Sequence, residues 1–113
     1  MESLKPLCRH YFNLFNNKDI NKLSELFSEN IKLIDWNLSI KGKTPVIREI
    51  TNIFNTVCDI NIEIDDMIEE NNKVSCQILI TITSNVGIEK IEVVDVISFD
   101  DLMKIKKIKA YKI

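Results

Sequence analysis

Two aspartates interrupt the apolar faces of predicted β-strands, and a carboxyl group in such a position can do acid–base chemistry. In 91-IEVVDVISF-99, alternate residues point to the same side, so Asp95 shares a face with isoleucine, valine and phenylalanine side chains. In 31-IKLIDWNL-38, Asp35 follows Ile31 and Leu33 on one face in the same way. Burying an unpaired carboxylate is costly or forces it to take up a proton. The two acids therefore predict a pocket and, less directly, proton transfer.

The composition limits the classes of protein that this chain can belong to. Its 113 residues suit one domain spanning residues 1–113, and the net charge of −2 argues against a nucleic-acid binder. The basic stretch 104-KIKKIKAYK-112 places lysines on both faces of a predicted strand, which predicts a solvated edge strand and not a phosphate track. No signal sequence and no apolar run of about 18 residues is found, so we expect a cytoplasmic protein without membrane contacts.

Metal and cofactor chemistry finds no support in the residue pattern. Cys8, Cys58 and Cys76 have no C-x-x-C spacing, so we interpret them as buried free thiols and not as a disulfide framework or a metal cage. His10 lies off the apolar stripe of its predicted helix and is expected at the surface. The chain has only two glycines, and no glycine-rich phosphate loop. We therefore expect neither a metal nor a cofactor.

The hydrophobic periodicity changes along the chain from helical to alternating. It predicts helices over 3–17, from Asp19 to about Phe27, and over roughly 45–57 with Thr44-Pro45 at the start. Strands are predicted at about 31–36, 38–41, 60–69, 74–82, 88–99 and 104–112. The order is ααβ(β)αββββ. Sequential strands with short turns favour an antiparallel sheet, and one apolar face with three helices favours an α+β domain.

Three segments carry a resemblance to a known superfamily: 11-YFNLFNNKDINKLSELFSENIKLID-35, 41-KGKTPVIREI-50 and 94-VDVISFDDLMKIKKIKAY-111. They resemble the superfamily that includes nuclear transport factor 2, scytalone dehydratase, the SnoaL-like polyketide cyclases and the ketosteroid isomerases. The resemblance covers nearly the whole chain. It implies a single SnoaL-like domain with a cystatin-like cone, in which a curved, mostly antiparallel sheet wraps around a long N-terminal helix.

Within that superfamily the ketosteroid isomerases offer the nearest functional match. The resemblance implies that Asp35 is the general base, and that Tyr11 and a protonated Asp95 are the donors of an oxyanion hole. That family typically has proline and a glycine-containing loop after the base, whereas here Trp36 follows. We expect Trp36 and Phe54 to wall the pocket of a small apolar or aromatic carbonyl compound. The implied activity is that of an isomerase, or of a lyase or cyclase, without a cofactor.

Each of the three residues also has a structural interpretation. Asp95 could bond a buried backbone group or a tyrosine hydroxyl, since buried polar groups find partners. Asp35 could cap a turn into the next strand, and Tyr11 could be a core tyrosine. The residues therefore leave open a non-catalytic module that binds small molecules or dimerises.

A homodimer is expected from the outer face of the predicted strand 74–82. Leu79 and Thr81 make that face moderately apolar, as at a protein interface.

Overall fold

Three helices form in the segments where the sequence has helical periodicity. The computed structural model describes residues 3–113, with α1 at Lys5–Asn16, α2 at Ile20–Leu26 and α3 at Lys43–Thr56. Pro6 lies in the first turn of α1, where its missing N–H costs no hydrogen bond. The helix buries Cys8, Tyr11, Phe12, Leu14 and Phe15. Within the described residues, no helix is long and apolar enough to cross a membrane.

The helix starts agree with the sequence in one case and differ in another. Asp19 caps α2 as predicted, because its carboxylate accepts a hydrogen bond from the backbone N–H of Lys22 at 3.2 Å. The predicted cap at Thr44 is wrong. Helix α3 already begins at Lys43, preceded by Gly42 with a φ of 102°, a conformation that glycine adopts without strain.

Six strands form one mixed sheet, and the predicted order ααβ(β)αββββ and α+β class are confirmed. The strands are β1 (Phe27–Ile34), β2 (Ser39–Lys41), β3 (Asp59–Glu70), β4 (Lys73–Ser84), β5 (Gly87–Phe99) and β6 (Ile105–Lys112). Their order across the sheet is β2-β1-β6-β5-β4-β3. The β1–β6 pair is parallel, and the other pairs are antiparallel.

Two predictions about strands need correction. Strand β6 is not an edge strand, because it pairs with β5 on one side and with β1 on the other. Strand β1 begins at Phe27 and not near residue 31. Phe27 is buried at the junction between α2 and β1. An apolar residue at this position fits the helical and the alternating pattern equally well, so the pattern does not show where the helix ends.

The sheet has two distinct faces. The inner face meets the helices and carries buried apolar residues such as Val74, Val93, Ile97 and Ile108, and the outer face carries the alternate residues. The register shifts within β3, between Ile64 and Asp66, and similar irregularities interrupt the β1–β6 and β5–β6 pairings. Such bulges bend strands, so they curve the sheet around its inner face.

Helix α1 is tied to β3 near both of its ends, and this fixes the position of Tyr11. At the N-terminal end, the Glu69 carboxylate accepts a hydrogen bond from the Ser3 hydroxyl at 2.7 Å. At the C-terminal end, the Asn16 amide donates to the carbonyl of Ile62 at 3.1 Å and accepts from its N–H at 2.6 Å. Because α1 has no side-chain cap at its start, these contacts with β3 hold its two ends in place.

The cysteines are free thiols, as predicted. Cys8 and Cys76 are buried, but Cys58 is exposed, which corrects the expectation for that residue. Cys58 lies in the connection between α3 and β3. His10 is exposed, in agreement with its position off the apolar stripe.

Candidate active site

The two aspartates lie at the same level of the inner face. On β5, Asp95 is opposite Cys76 of β4 and Ala110 of β6. The parallel β1–β6 register, continued by one residue, brings Asp35 beside Ala110. Since neighbouring strands are about 4.8 Å apart, the two aspartates are about 10 Å apart at Cα. Ala110, the single alanine of the chain, stands between them and has the smallest side chain that could occupy that position apart from glycine.

Asp95 is a buried acid that can hold a proton at neutral pH. Its side chain is 8% exposed. Burial raises the pKa of Asp95 to about 7, and the negative charge of Asp35 adds to the rise. Near pH 7 the carboxyl group is therefore present in both its protonated and its ionised form, and the protonated form can donate a hydrogen bond.

Tyr11 is a buried residue of α1 and lies close enough to Asp95 for the charge of that acid to act on it. Its ring packs against Phe12, Phe15 and Phe27, with centroid distances of 5.0, 5.9 and 6.2 Å. Burial raises the pKa of the Tyr11 phenol well above its usual value, and the charge of Asp95 is the next cause. The hydroxyl therefore remains a hydrogen-bond donor at all physiological pH values.

Neither donor is used by the protein itself. Among residues 3–113, neither the Tyr11 hydroxyl nor the Asp95 carboxyl forms a hydrogen bond. Every polar side-chain atom of these residues that is completely buried does have a hydrogen-bond partner. Both groups therefore keep contact with open space. This disagrees with the structural interpretation in which Asp95 bonds a buried backbone group or a tyrosine hydroxyl. Two unpartnered donors in an apolar setting can stabilise an oxygen on which negative charge develops.

Asp35 has a structural role and a free oxygen at the same time. Its Oδ1 accepts hydrogen bonds from the backbone N–H groups of Asn37, at 2.7 Å, and of Leu38, at 2.9 Å. The alternative that Asp35 caps a turn into the next strand is therefore correct for one oxygen. Its Oδ2 forms no hydrogen bond with the described residues. The side chain is half-buried, and no completely buried polar side-chain atom in residues 3–113 lacks a partner, so Oδ2 keeps contact with open space.

The two predicted wall residues lie in different surroundings. Trp36 is 45% exposed, and the ammonium group of Lys112 lies 5.5 Å from its ring centre. Phe54 is 7% exposed and packs edge-on against Phe15 at 4.9 Å, as a core residue does. Trp36 therefore borders the site from outside, and Phe54 supports the aromatic cluster that holds Tyr11.

Several neighbours of the site were not predicted. Cys76 and Ala110 flank Asp95 in the sheet, and Lys112 shares the face of Ala110 two residues further on. The alternation of β6 is the signal that could have identified Lys112. A hydrogen bond with Cys8, together with burial, raises the pKa of the Cys76 thiol, so it stays protonated beside Asp95.

The inner face of β4 and β5 stays apolar beyond Cys76 and Asp95. Three half-buried side chains of β4 and β5 pack against the core there: Ile80, Ile82 and Ile91. An apolar lining with a few polar groups is typical of a small-molecule site. In the part of the chain that the structure describes, no three His, Cys, Asp or Glu side chains group as metal ligands do.

Comparison with known families identifies the family of the chain. Residues 8–108 match the family model of the SnoaL-like domain, a span that includes Tyr11, Asp35 and Asp95. The chain belongs to the SnoaL-like domain family. No curated protein matches its sequence.

Solved structures show the same fold at low sequence identity. An NTF2-like protein of unknown function from Exiguobacterium sp. 255-15 is 18% identical, with a TM-score of 0.84 over 94% of this chain and 97% of that one. SalBIII, an epoxide hydrolase/cyclase-like enzyme of pyran ring formation in salinomycin, is 18% identical, with a TM-score of 0.86 over 96% and 89%. A candidate ketosteroid isomerase from Kribbella flavida DSM 17836 is 13% identical, with a TM-score of 0.82 over 97% and 77%. The SnoaL-like chain therefore has the nuclear transport factor 2-like fold, which confirms the resemblance found in the sequence.

Proposed function

We propose that this SnoaL-like protein binds a small carbonyl compound on its inner face and moves a proton at the carbon next to the carbonyl group. One observation carries the proposal. Tyr11 and Asp95 are buried proton donors without a hydrogen-bond partner among the described residues, and the charge of a second carboxylate, Asp35, acts on Asp95. A separation of roles between two acids of different environment is typical of acid–base sites.

The chemistry assigns one role to each residue. Oδ2 of Asp35 takes the proton from the carbon, the electron pair of the broken C–H bond forms a carbon–carbon double bond, and the carbonyl π electrons move to oxygen. Tyr11 and protonated Asp95 donate hydrogen bonds to the resulting enolate oxygen. Where the substrate has a β,γ carbon–carbon double bond, the negative charge extends to the γ-carbon, and Asp35 returns the proton there, which shifts the double bond and completes an isomerisation. In a cyclisation, the enolate carbon instead attacks a second carbonyl carbon, whose oxygen takes up the proton. Neither course needs an electron donor or acceptor.

The burial of the donors bears on the substrate class. Tyr11 and Asp95 are only 4% and 8% exposed, and donors buried this deeply favour a small, flat molecule over a bulky one. The apolar side chains of Ile80 and Ile91 on the same face favour an apolar or aromatic compound.

A planar phenol tests the oxyanion site, because its oxygen imitates the enolate oxygen. We expect 2-naphthol to bind the wild-type protein at pH 6, and Asp95→Ala to weaken binding by tenfold or more. Asp101→Ala is the matched control, since Asp101 is an exposed acid in the turn after β5. The proposal is wrong if the wild type does not bind naphthol, or if Asp95→Ala binds it as tightly as the control.

A second candidate function is a non-catalytic binding module, and the turn at Asp35 favours it. The two backbone hydrogen bonds of Oδ1 give this residue a structural reason to be an aspartate. Asp35→Asn separates the two functions, because the amide oxygen can still cap the turn but cannot take a proton. For an enzyme, wild type should speed deuterium exchange at the α-carbon of 2-tetralone in D₂O, and Asp35→Asn should not. If wild type and Asp35→Asn gave equal exchange rates and both still bound naphthol, the non-catalytic binding module would be supported.

We also propose that the protein forms a homodimer through its outer face. The half-buried residues of that face include Leu79 and Thr81 on β4 and Val94 and Val96 on β5. A moderately apolar strip of this kind suits a protein interface. Light scattering coupled to size exclusion should give twice the mass of the chain; a monomer at high concentration would contradict the proposal.

A further inference from the structure

Five lysines from four strands meet at one groove on the outer face. The groove has a volume of about 670 Å³, and its lysines are Lys32, Lys41, Lys73, Lys106 and Lys107. The rest of its lining is polar, with a single acid, Asp100, and no apolar side chain. This positive charge is concentrated on a chain whose net charge is −2.

The register of the sheet arranges four of these lysines in one row. Lys41 of β2 is opposite Lys32 of β1, which is opposite Lys107 of β6. Lys107 is opposite Ser98 of β5, and Ser98 is opposite Lys73 of β4. At about 4.8 Å per strand, the row is about 19 Å long. Like charges directly opposite one another destabilise a sheet, so three adjacent lysines are unfavourable for the fold.

The protein supplies little charge to neutralise this row. In the described part of the chain, the one ion pair joins Lys43 and Glu29, outside the groove, at 3.4 Å. Asp100 uses one oxygen to accept two backbone N–H groups of its own turn, each at 2.9 Å. Glu70 is opposite Lys73 at the end of the row, beyond ion-pair distance. The ammonium groups between Lys73 and Lys41 are therefore free to bind an anion.

Ser98 gives a second, independent indication of a ligand. It is 4% exposed, lines the groove and stands in the middle of the row. Its hydroxyl forms no hydrogen bond with residues 3–113, yet no sealed polar side-chain atom there lacks a partner. The hydroxyl therefore opens onto the groove. Between Lys73 and Lys107 it offers a neutral donor at the base of a cationic site.

We propose that this groove binds a soluble molecule that carries two or more phosphate groups. Lysine ammonium groups bind phosphate as point charges, and a row of them matches an elongated polyanion. Protein interfaces place apolar and aromatic residues at their centre and are depleted in lysine, so the purely polar lining argues against a protein partner here. The site is separate from the inner face. It also revises the interpretation of 104–112, because Lys106 and Lys107 join lysines of three other strands.

Inorganic tripolyphosphate is a suitable probe, titrated by calorimetry at low ionic strength. We expect the double variant Lys32→Gln, Lys107→Gln to bind it at least tenfold more weakly than wild type. The matched control is Lys22→Gln, Lys90→Gln, which removes the same charge from exposed positions outside the groove and should bind within twofold of wild type. Ser98→Ala should weaken binding several-fold. Thermal unfolding of each variant verifies that it is folded.

Two outcomes would overturn the proposal directly. One is a wild type that does not bind tripolyphosphate, and the other is an equal loss in the groove variant and its control. Phosphatidylserine vesicles and a single-stranded DNA distinguish the source of the phosphates. Tighter binding of tripolyphosphate than of either supports a soluble ligand. Tighter binding of vesicles or of DNA, lost in the groove variant, would replace it with a lipid surface or a nucleic acid.

Discussion

Each face of strand β5 carries an electrostatically unfavourable feature: a buried carboxyl group on the inner face and neighbouring lysines of like charge on the outer face. Asp95 and Ser98 are the buried polar residues of the described chain, and they lie three positions apart on opposite faces of the sheet. On the inner face a single acid stands among apolar neighbours and the burial raises its pKa. On the outer face Ser98 is flanked by lysines that remain in contact with water.

The difference between the faces predicts which conditions each will respond to. A buried acid is relieved when it takes up a proton, so the inner face should respond to pH near neutrality. Exposed lysines stay charged at every physiological pH, and their repulsion is reduced by dissolved ions or by a bound anion. The inner face should therefore be sensitive to pH and the outer face to salt.

The largest expected effect is on the inner face, in the pH dependence of Asp95→Asn. The pKa of Asp95 is about 7 in the folded protein, against an ordinary value of 3.8. Between these values the folded state binds the extra proton, so the wild type loses stability as the pH rises from 4 to 7 and no more above that. Asparagine has no such proton. As the pH rises from 4 to 8, the free energy of unfolding of Asp95→Asn, measured relative to that of wild type, should therefore increase by up to about 4 kcal/mol.

Urea unfolding at several pH values measures this gain. Asp101→Asn is the control, because an exposed aspartate in a turn should leave the pH profile parallel to that of wild type. Parallel profiles for Asp95→Asn as well would show that Asp95 ionises normally. It would then be no neutral donor at pH 7, and the inner face would lose its distinction from the outer one.

The two faces also differ in how far the sequence predicts them. Asp95 and Asp35 each depart from the apolar pattern of their own segment, so alternation within one strand is enough to identify them. Lys32 is an ordinary exposed residue of its strand and Lys107 an ordinary half-buried one. They become neighbours only because β6 inserts between β1 and β5 and pairs with β1 in parallel, and a long-range register of this kind leaves no local signal.

Periodicity also misses what depends on the details of packing. The position of Phe54 on α3 predicts a pocket wall, but its ring packs against Phe15 in the core. The hydrogen bonds that Asp35 accepts in the turn after β1 depend on where that strand ends. The sequence therefore offers a turn-capping role for Asp35 only as one of two interpretations.

An intermediate effect is expected on the outer face from Lys32→Gln. This residue has a lysine opposite it on both sides, and cross-strand pairs are worth a few tenths to about 1 kcal/mol each. The substitution should therefore stabilise the protein by about 0.5 to 1 kcal/mol in about 0.01 M salt. In about 1 M salt the gain should vanish, because the screening length falls to about 3 Å.

Thermal unfolding at the two salt concentrations measures this change, with Lys22→Gln on α2 as the control. Lys22 has no place in the row, so its substitution should leave the stability nearly unchanged in both. A destabilised Lys32→Gln in low salt would mean that Lys32 has a favourable partner, and the row would not be a site of repulsion.

The smallest effect on stability is expected from Tyr11→Phe, and its smallness is informative. The Tyr11 hydroxyl has no hydrogen-bond partner among the described residues, so its removal should change the free energy of unfolding by less than about 0.5 kcal/mol, whereas losing a typical hydrogen bond costs about 0.5 to 1.5 kcal/mol. Naphthol affinity should nevertheless fall about tenfold, because one of two donors to its oxygen is gone. A loss of stability above about 1 kcal/mol with unchanged naphthol binding would show that the hydroxyl serves the fold. In that case Asp95 would be the only donor left on the inner face, and a single donor is a weaker basis for stabilising an enolate.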